Sequence, residues 1–456
     1  MNNNLLNKFL ILLISVFVIT GTSEAQDAKN LTLDEAINLG LQNSNELKLS
    51  NAKIKQASAA AREARERRLP DFKISGAYMR LAQPDIDLKI KLGGNSSSQQ
   101  QQSGEGSSTQ QAASPTVNQL MYGMANVSLP LFTGFKIQYG VESAKYLEEA
   151  SKLDAEKDRD AVIQNLVAAY SNLYKSKAGL DLVKENLKQS EQRVKDFSNL
   201  EKNGVLARND LLKAQLQQSN VELALLDAQN NYELSCINMN LMLGLPENTV
   251  LNPDENMLNT LADAGTFETW QATALKNRKD AEALQYREKA ANAGVKAAKG
   301  DYYPNLALTG GYIAANIPNI LTITNALNAG VGLSYSPSSL WKNGAKVAQA
   351  KAQLEQVQIH QSILSDAIRL QVAQAYQSYL SAVKKTDVYE KALQQASENY
   401  RIVKNKYDNA LANTTDLLDA DVAQLQAKIN QANGKADAMV AYKQLLQASG
   451  TLYQNN

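Results

Sequence analysis

Cysteine and histidine are nearly absent from this chain of 456 residues, which has one of each, Cys236 and His360. A single cysteine excludes an intramolecular disulfide framework, and the pair excludes Cys/His zinc sites and any site with two histidines. A site made only of carboxylates stays open. Charge of one sign is also lacking, since 47 Lys and Arg residues balance 46 Asp and Glu residues and leave a net charge of +1. We therefore expect no nucleic-acid partner.

Catalytic motifs are missing as well. The sequence has no phosphate-binding loop, no Gly-x-Ser-x-Gly nucleophile turn and no His-Glu-x-x-His motif. We therefore predict a protein that is not an enzyme and has no catalytic residues, no cofactor and no metal. Cys236 lies in an apolar helical stretch and is expected to be a small core residue.

Proline is scarce and unevenly placed. The nine prolines leave two stretches of more than 100 residues without any, one between Pro130 and Pro246 and one after Pro337. Proline removes a helical hydrogen bond and clashes with the preceding turn, so stretches free of it favour long helices. Both stretches are therefore predicted to be helical.

Long apolar runs are limited to the beginning of the chain. Within residues 1–25, Lys8 precedes the apolar run 9–20, and the small-residue site Ser23-Glu24-Ala25 follows it. This order predicts a cleaved signal peptide, with an uncleaved anchor as the alternative. No later segment has the 18 consecutive apolar residues of a transmembrane helix. The mature chain is therefore expected to be periplasmic, secreted, or embedded in a membrane by something other than a helix.

The sequence contains an internal duplication. The segment Leu41–Leu47 recurs as Leu275–Ala281 with an offset of 234, and Asp210–Leu212 recurs as Asp416–Leu418 with an offset of 206. An enlarged loop in the first copy explains the difference between the offsets. We therefore expect two structural repeats of the same design.

The repeats are predicted to cover 26–250 and 251–456. The Ser/Gln-rich part of the loop, 93–115, has too little apolar surface to fold and is expected to be disordered. The expected bounds are as follows: in the first repeat, strands at about 71–80 and 120–131, the loop 81–119 and a helical hairpin at about 137–244; in the second, strands at about 305–314 and 328–336 and a helical hairpin at about 343–449.

The predicted strands are apolar on one side only. In the first strand, Phe72, Ile74 and Tyr78 share one face, whereas Lys73 and Ser75 share the other. Four strands of about ten residues with this alternation fit a transmembrane β-barrel. On periodicity alone, the alternative of a soluble sheet that packs on the helices is favoured.

The predicted helices favour the membrane interpretation. Apolar residues from Leu166 to Phe197 follow the alternating three- and four-residue spacing of a coiled coil, and about sixty such residues span about 90 Å. Each rod turns back, at 202–209 and 408–415, into a second helix. Four strands cannot close a barrel, so several copies would have to share one.

Three motifs, in this order and on this duplicated framework, resemble the TolC-type outer-membrane efflux proteins, the outer membrane factor family. They are Leu31–Ala36, Leu129–Gly134 and Gly204–Leu212. The resemblance covers residues 30–450 approximately. It implies a mainly α fold with a transmembrane β-barrel: a homotrimer with twelve strands in a shared barrel, joined to a long α-helical barrel.

The resemblance also implies a function. Members of the family are passive outer-membrane channels, surrounded by outer-membrane lipid, whose helical barrel projects into the periplasm. A periplasmic adaptor (membrane fusion) protein joins them to an inner-membrane transporter, which supplies the energy. The rival interpretation is a non-conducting periplasmic coiled-coil scaffold.

Two aspartates match the gate of the family. Asp416 and Asp419 fall on the positions that form carboxylate rings at the narrowest point of the channel, and their spacing places them on one helix face. Three chains would gather six carboxylates, which attract cations. The alternative is that both are solvated first-turn residues favoured by the helix dipole.

The resemblance implies a link that holds the channel closed. Tyr407 matches a family tyrosine that bonds to an aspartate of the neighbouring hairpin, and Asp210 is the matching aspartate. The alternative is that Tyr407 only continues the coiled-coil spacing. Ala412 stands where a family member has an arginine that adds a second constraint, so the closed state is expected to be held more loosely.

The two hairpin turns resemble the tips at which the family contacts its adaptor. The residues concerned are Gly204, Val205, Leu206, Ala410 and Leu411. The alternative is two structural turns with small apolar contacts.

Phe135 and Trp341 occupy matching positions just beyond the strands. This placement is typical of an aromatic girdle at a membrane interface. A buried contact is the alternative.

Overall fold

The computed structural model describes residues 29–82, 118–254, 264–318 and 321–452. The predicted signal peptide 1–25 and the Ser/Gln-rich segment 93–115 lie outside the described residues. The described helices are α1 (Leu33–Asn43), α2 (Asn45–Glu66), α3 (Lys136–Lys202), α4 (Arg208–Leu243), α5 (Phe267–Asn277), α6 (Lys279–Lys299), α7 (Ser339–Asp408) and α8 (Thr414–Ser449). The strands are β1 (Lys29–Leu31), β2 (Asp71–Arg80), β3 (Gln119–Thr133), β4 (Leu251–Pro253), β5 (Asn305–Ile317) and β6 (Leu321–Ser334).

The duplication is visible in the lengths of the elements. The helices α1 and α2 have 11 and 22 residues, and their counterparts α5 and α6 have 11 and 21. The long helices α3 and α7 have 67 and 70 residues, and α4 and α8 have 36 each. Thr32 and Thr266 each cap the first helix of a repeat by accepting a backbone hydrogen bond. None of the described helices has an apolar stretch that would cross a bilayer.

The chain forms two compact units, and each takes segments from both repeats. Among the described residues, the helical unit comprises 29–54, 150–254, 264–285 and 360–452. The sheet unit comprises 55–82, 118–149, 286–318 and 321–359. Each repeat therefore contributes a strand pair and the start of its long helix to the sheet unit, and the rest of its helical hairpin to the helical unit.

The core of the helical unit surrounds Tyr170 in α3. The tyrosine is fully buried; its hydroxyl donates to the carbonyl oxygen of Leu31 at 2.9 Å and accepts from the backbone nitrogen of Asp254 at 2.9 Å. Burial raises the pKa of Tyr170 to about 12, so its proton stays in place for donation. These bonds tie the parallel pair β1–β4 to the helices. Cys236 is buried in the same core, as expected.

The sheet unit contains a four-stranded antiparallel sheet in the order β2-β3-β5-β6. Its register aligns the apolar residues of all four strands on one face, which is exposed. That face includes Phe72, Ile74, Tyr78, Val127, Leu308, Tyr312, Leu327, Val331 and Leu333. The opposite face carries small and polar residues such as Ser75, Asn126, Thr309 and Asn328. The predicted one-sided alternation is therefore present in the sheet.

The returning strand of the second repeat differs from the expected one. β6 begins at Leu321, not near residue 328, and β5 continues to Ile317, three residues beyond the expected end. Asn325 has a φ of 58° and lies in β6 beside a register shift of the β5–β6 pairing. This irregularity interrupts the alternation of side chains, so the strand pattern read from the sequence begins too late.

The change from strand to helix in the first repeat takes place at Gly134. Its φ is 63°, and a Cβ atom there would lie 2.1 Å from the carbonyl oxygen of Gly300. Beside this contact, Lys346 and Lys136 both form ion pairs with Asp301. Their hydrogen bonds hold the pKa of Asp301 below its usual value, because they favour the charged carboxylate. The junction between β3 and the start of α3 is therefore both sterically and electrostatically constrained.

We predict that Gly134→Ala strongly destabilises the protein. The left-handed backbone alone costs a residue with a Cβ about 1–2 kcal/mol, and the contact with Gly300 adds to this cost. The matched control is Gly140→Ala in α3, where a Cβ atom meets nothing within 4 Å and helix propensity favours alanine. The midpoint of thermal unfolding of the detergent-purified protein measures both. Equal midpoints for the two variants would contradict the steric role of Gly134.

Candidate functional site at the hairpin turns

The two helical hairpins turn with the same backbone geometry. In the first, Gly204 has a φ of 72°, its N–H donates to the carbonyl oxygen of Glu201, and the N–H of Val205 donates to Leu200. In the second, Ala410 has a φ of 58° and donates to Tyr407, while Leu411 donates to Lys406. Both arrangements are Schellman motifs, which end a helix with one left-handed residue.

The two turns are stabilised in different ways. Ala410 takes a left-handed conformation that costs a non-glycine residue about 1–2 kcal/mol. The helix that follows is well capped: Asn413 Oδ1 accepts from Asp416 N at 2.9 Å, and the Asp416 carboxylate accepts from Asn413 N at 3.3 Å. The first turn has the glycine, but its N-cap residue, Ala207, makes no side-chain bond.

Both turns present apolar side chains to solvent. Val205 is 73% exposed and Leu411 is 77% exposed. Leu206 is partly buried and packs on a small cluster that contains Phe197 and Leu211. Each turn therefore offers one large apolar residue for contact, supported by a packed base.

The predicted gate aspartates lie on one exposed face of α8. Asp416 and Asp419 are exposed, whereas their neighbours Leu417, Leu418 and Ala420 are buried. The capping role of Asp416 is the one expected of a first-turn residue. A single chain brings only these two carboxylates together, so the ring stays a prediction that depends on further copies.

Tyr407 and Asp210 have separate partners in the single chain. The ring of Tyr407 stacks on Phe197 with 5.6 Å between centroids. The carboxylate of Asp210 lies 3.5 Å from Lys213 Nζ, which also donates to Thr415 Oγ1 at 3.1 Å. Asp210 therefore reaches the second hairpin through Lys213, and its predicted bond with Tyr407 stays a prediction.

The structure brings together a buried ion pair that the sequence analysis did not identify. Arg193 Nη1 in α3 lies 3.0 Å from Asp421 Oδ2 in α8, and the two side chains are 9% and 3% exposed. Asn186 Nδ2 donates to the same oxygen at 3.4 Å. The partners are 228 residues apart. The available signal was that each charge sits at coiled-coil spacing from apolar neighbours, Arg193 before Phe197 and Asp421 after Leu417.

The environment of this pair is only partly complementary. Burial tends to lower the pKa of Arg193, but the hydrogen bond and charge of Asp421, with a smaller contribution from Tyr400, raise it overall. The second carboxylate oxygen, Asp421 Oδ1, is buried and has no hydrogen-bond partner among the described residues. The pair is thus desolvated without being fully satisfied.

Two further ion pairs join the same two helices. Lys175 pairs with Asp437, and Glu185 Oε1 lies 3.5 Å from Lys428 Nζ. In each pair the carboxylate side chain is more than half exposed and the lysine is partly exposed, unlike the side chains of Arg193 and Asp421. Exposed pairs contribute little because water screens them.

Phe135 and Trp341 lie in different surroundings in the sheet unit. The ring of Phe135 makes edge contacts with Phe132 at 5.2 Å and Tyr303 at 6.2 Å, and about half of its surface is exposed. Trp341 is largely exposed at the start of α7. Their assignment to a membrane interface stays a prediction.

The fold is that of known outer-membrane channels. The outer membrane protein VceC of Vibrio cholerae has a TM-score of 0.73 at 18% identity, over 92% of this chain and 96% of that chain. The outer membrane channel CmeC of Campylobacter jejuni has a TM-score of 0.74 at 19% identity, over 92% and 86%. Toxin and drug export protein A of Aggregatibacter actinomycetemcomitans is 24% identical over 427 residues, which are 88% of this chain and 84% of that protein.

The family is defined by a match along most of the chain. The profile of the outer membrane efflux protein family matches residues 36–245 and 270–451. The two matched segments include both hairpins and the four strands of the sheet. The chain therefore belongs to the outer membrane efflux protein family.

We predict opposite effects for exchanging the residues at the two turns. Gly204→Ala should destabilise the protein by about 1 kcal/mol and Ala410→Gly should stabilise it by a similar amount, because only alanine is strained at positive φ. A Cβ on Gly204 would meet nothing within 4 Å, so no clash contributes. Thermal midpoints of the two variants decide this. A loss of stability in both would show that the turns are limited by something other than backbone strain.

Proposed function

We propose that this chain is a passive exit duct in the outer membrane that serves a tripartite efflux or secretion system. The observation that carries the proposal is the sheet, whose one face is apolar and exposed, in the same chain as two long helical hairpins. An exposed apolar face of this kind suits lipid contact. A soluble periplasmic scaffold, the rival function, would not be expected to expose a large apolar face to water.

The edges of the sheet support assembly into a homotrimer. Among the described strands, β2 and β6 each pair with one neighbour, so one edge of each is open. Backbone groups cannot remain unpaired in lipid. Three copies would supply twelve strands and pair every edge with that of the next copy, which is enough to close a barrel.

The helical unit offers a second surface for assembly. Seven large apolar residues of α4 are exposed, and their spacing of three, four, seven or eight residues places them on one stripe. They are Leu212, Leu216, Leu223, Leu226, Leu234, Ile237 and Leu241. A second exposed stripe runs along α7. It consists of Ile363, Leu370, Leu380, Val388 and Ile402. A neighbouring copy would bury both stripes.

We predict that polar residues on the α4 stripe weaken the trimer. The double variant Leu216→Gln, Leu223→Gln places two amides where a neighbour would bury apolar surface, at about 1.5–3 kcal/mol for each lost leucine contact. Ala224→Gln, an exposed position on the same helix away from the stripe, is the matched control. Molar mass by light scattering in detergent should fall for the double variant only. A wild-type monomer at all concentrations would refute the trimer.

The gate and the tips complete the proposal. Asp416 and Asp419 would form the constriction at the periplasmic end, held closed by Tyr407 and Asp210, and opened when an adaptor and an inner-membrane transporter engage. The exposure of Val205 and Leu411 supports adaptor contact at the tips, with Gly204, Leu206 and Ala410 shaping the turns. The shared exposed face of the two aspartates supports the gate.

We predict that the charge of the two aspartates controls a cation block of the channel. In a planar bilayer, wild-type protein should show discrete conductance steps that a trivalent cation blocks from the helical side. In the variant Asp416→Asn, Asp419→Asn the block should be much weaker. Asparagine is chosen over alanine because its side-chain oxygen can still accept the capping bond from Asn413.

The outcomes separate the parts of the proposal. Steps that are blocked equally in both proteins would keep the duct and refute the gate. Folded wild-type oligomer without conductance would refute the duct and favour the scaffold.

A further inference from the structure

We propose that the buried pair of Arg193 and Asp421 is a releasable latch that holds the gate-bearing start of α8 against α3. This inference rests on the proposed duct and its gate. The pair joins the first hairpin to the second, and its side chains are only 9% and 3% exposed. In this proposal Arg193 and Asp421 are positioning residues, which act on the gate through α8 and do not line the gate opening.

The latch acts on the same helical turn as the gate. Asp419 and Asp421 are two residues apart, which is about 200° around a helix, so they point in opposite directions. Asp419 is exposed, whereas Asp421 is buried against α3. An outward movement of the gate face relative to α3 would therefore separate Asp421 from Arg193.

The chemistry of the pair makes it releasable. Arg193 and Asn186 both donate to Oδ2 of Asp421, and Oδ1 has no partner among the described residues. Separation loses the attraction between the charges, but it lets water hydrate both groups and satisfy the unpaired oxygen. Two arrangements, paired and hydrated, are thus close enough in free energy for an engaged partner to shift the balance.

The guanidinium also connects the latch to the third helix of the region. Tyr400 in α7 lines the same cleft as Arg193, and it contributes to the raised pKa of the guanidinium. Tyr400 packs on the same small cluster as Tyr407 and Leu206. A movement of a hairpin tip would therefore reach Arg193 through the packed side chains of this cluster.

The latch occurs once in each chain. With the offset of 206 between the repeats, Arg193 corresponds to Asn399 and Asp421 corresponds to Gln215, so the duplicated position carries no charge pair. The ion pairs of Lys175 with Asp437 and of Glu185 with Lys428, between the same helices, are partly exposed. We therefore expect the loss of the Arg193–Asp421 pair to change the open fraction of the channel more than the loss of either of these pairs.

The test compares open-channel occupancy in planar bilayers for three proteins. Asp421→Asn leaves the buried Arg193 without its counter-charge and should raise the open fraction about tenfold, which corresponds to about 1.4 kcal/mol. The matched control is Lys428→Gln, which removes the exposed ion pair between the same helices and should leave the open fraction unchanged. Thermal midpoints establish that all three proteins are folded.

A second variant covers the case in which the single substitution prevents folding. Arg193→Gln, Asp421→Asn removes both charges, so no uncompensated charge stays buried. Its open fraction should exceed that of wild type, because the attraction that holds α8 against α3 is lost. A structural role alone would lower the thermal midpoint and leave the open fraction at the wild-type value.

The outcomes distinguish failure of the latch from failure of the duct. If the cation block responds to the gate variant and the folded latch variants open no more than wild type, the latch is refuted and the duct stands. If folded wild-type protein does not conduct, the duct is refuted and the latch falls with it. A raised open fraction in the latch variants with an unchanged Lys428→Gln control supports the latch.

Discussion

Backbone hydrogen bonding at the outer strands is the constraint on which the rest of this structure depends. The sheet exposes an apolar face, and β2 and β6 each lack a second neighbour among the described strands. Water would satisfy those edges, but lipid cannot. The sheet therefore suits a membrane only when copies of the chain pair their edges. The exposed leucine stripe of α4 places the same demand on the helical unit, by burial of apolar surface rather than by hydrogen bonds.

The helices and strands were predictable because two periodicities are strong in this sequence, whereas the shared trimeric barrel was expected from the family resemblance. Side chains alternate with period two in the strands around Phe72 and Val127, and with coiled-coil spacing from Leu166 to Phe197. Because the sequence is duplicated, each helix and strand of one repeat could be checked against its counterpart in the other. Where the period was broken, the prediction was wrong: the irregularity at Asn325 concealed the first part of β6.

The candidate site was less accessible to this reasoning. The turns at Gly204 and Ala410 were located correctly, but no periodicity reveals that both adopt one backbone geometry. The pair of Arg193 and Asp421 was missed because charged residues on long helices usually face water, and their partnership depends on packing between segments 228 residues apart. The roles of Asp416, Asp419 and Tyr407 came from family resemblance and stay predictions.

The unequal turns have a consequence for how such a protein evolves. An assembly built from six copies of one repeat would have six identical turns, because each change would appear in every copy. When two repeats are joined in one chain, their turns can change independently of each other. One turn here keeps the glycine and lacks a side-chain cap, whereas the other has the cap and lacks the glycine. Alternate hairpins of the proposed ring can therefore acquire separate tasks, such as holding and releasing, while the proposed barrel keeps a single architecture.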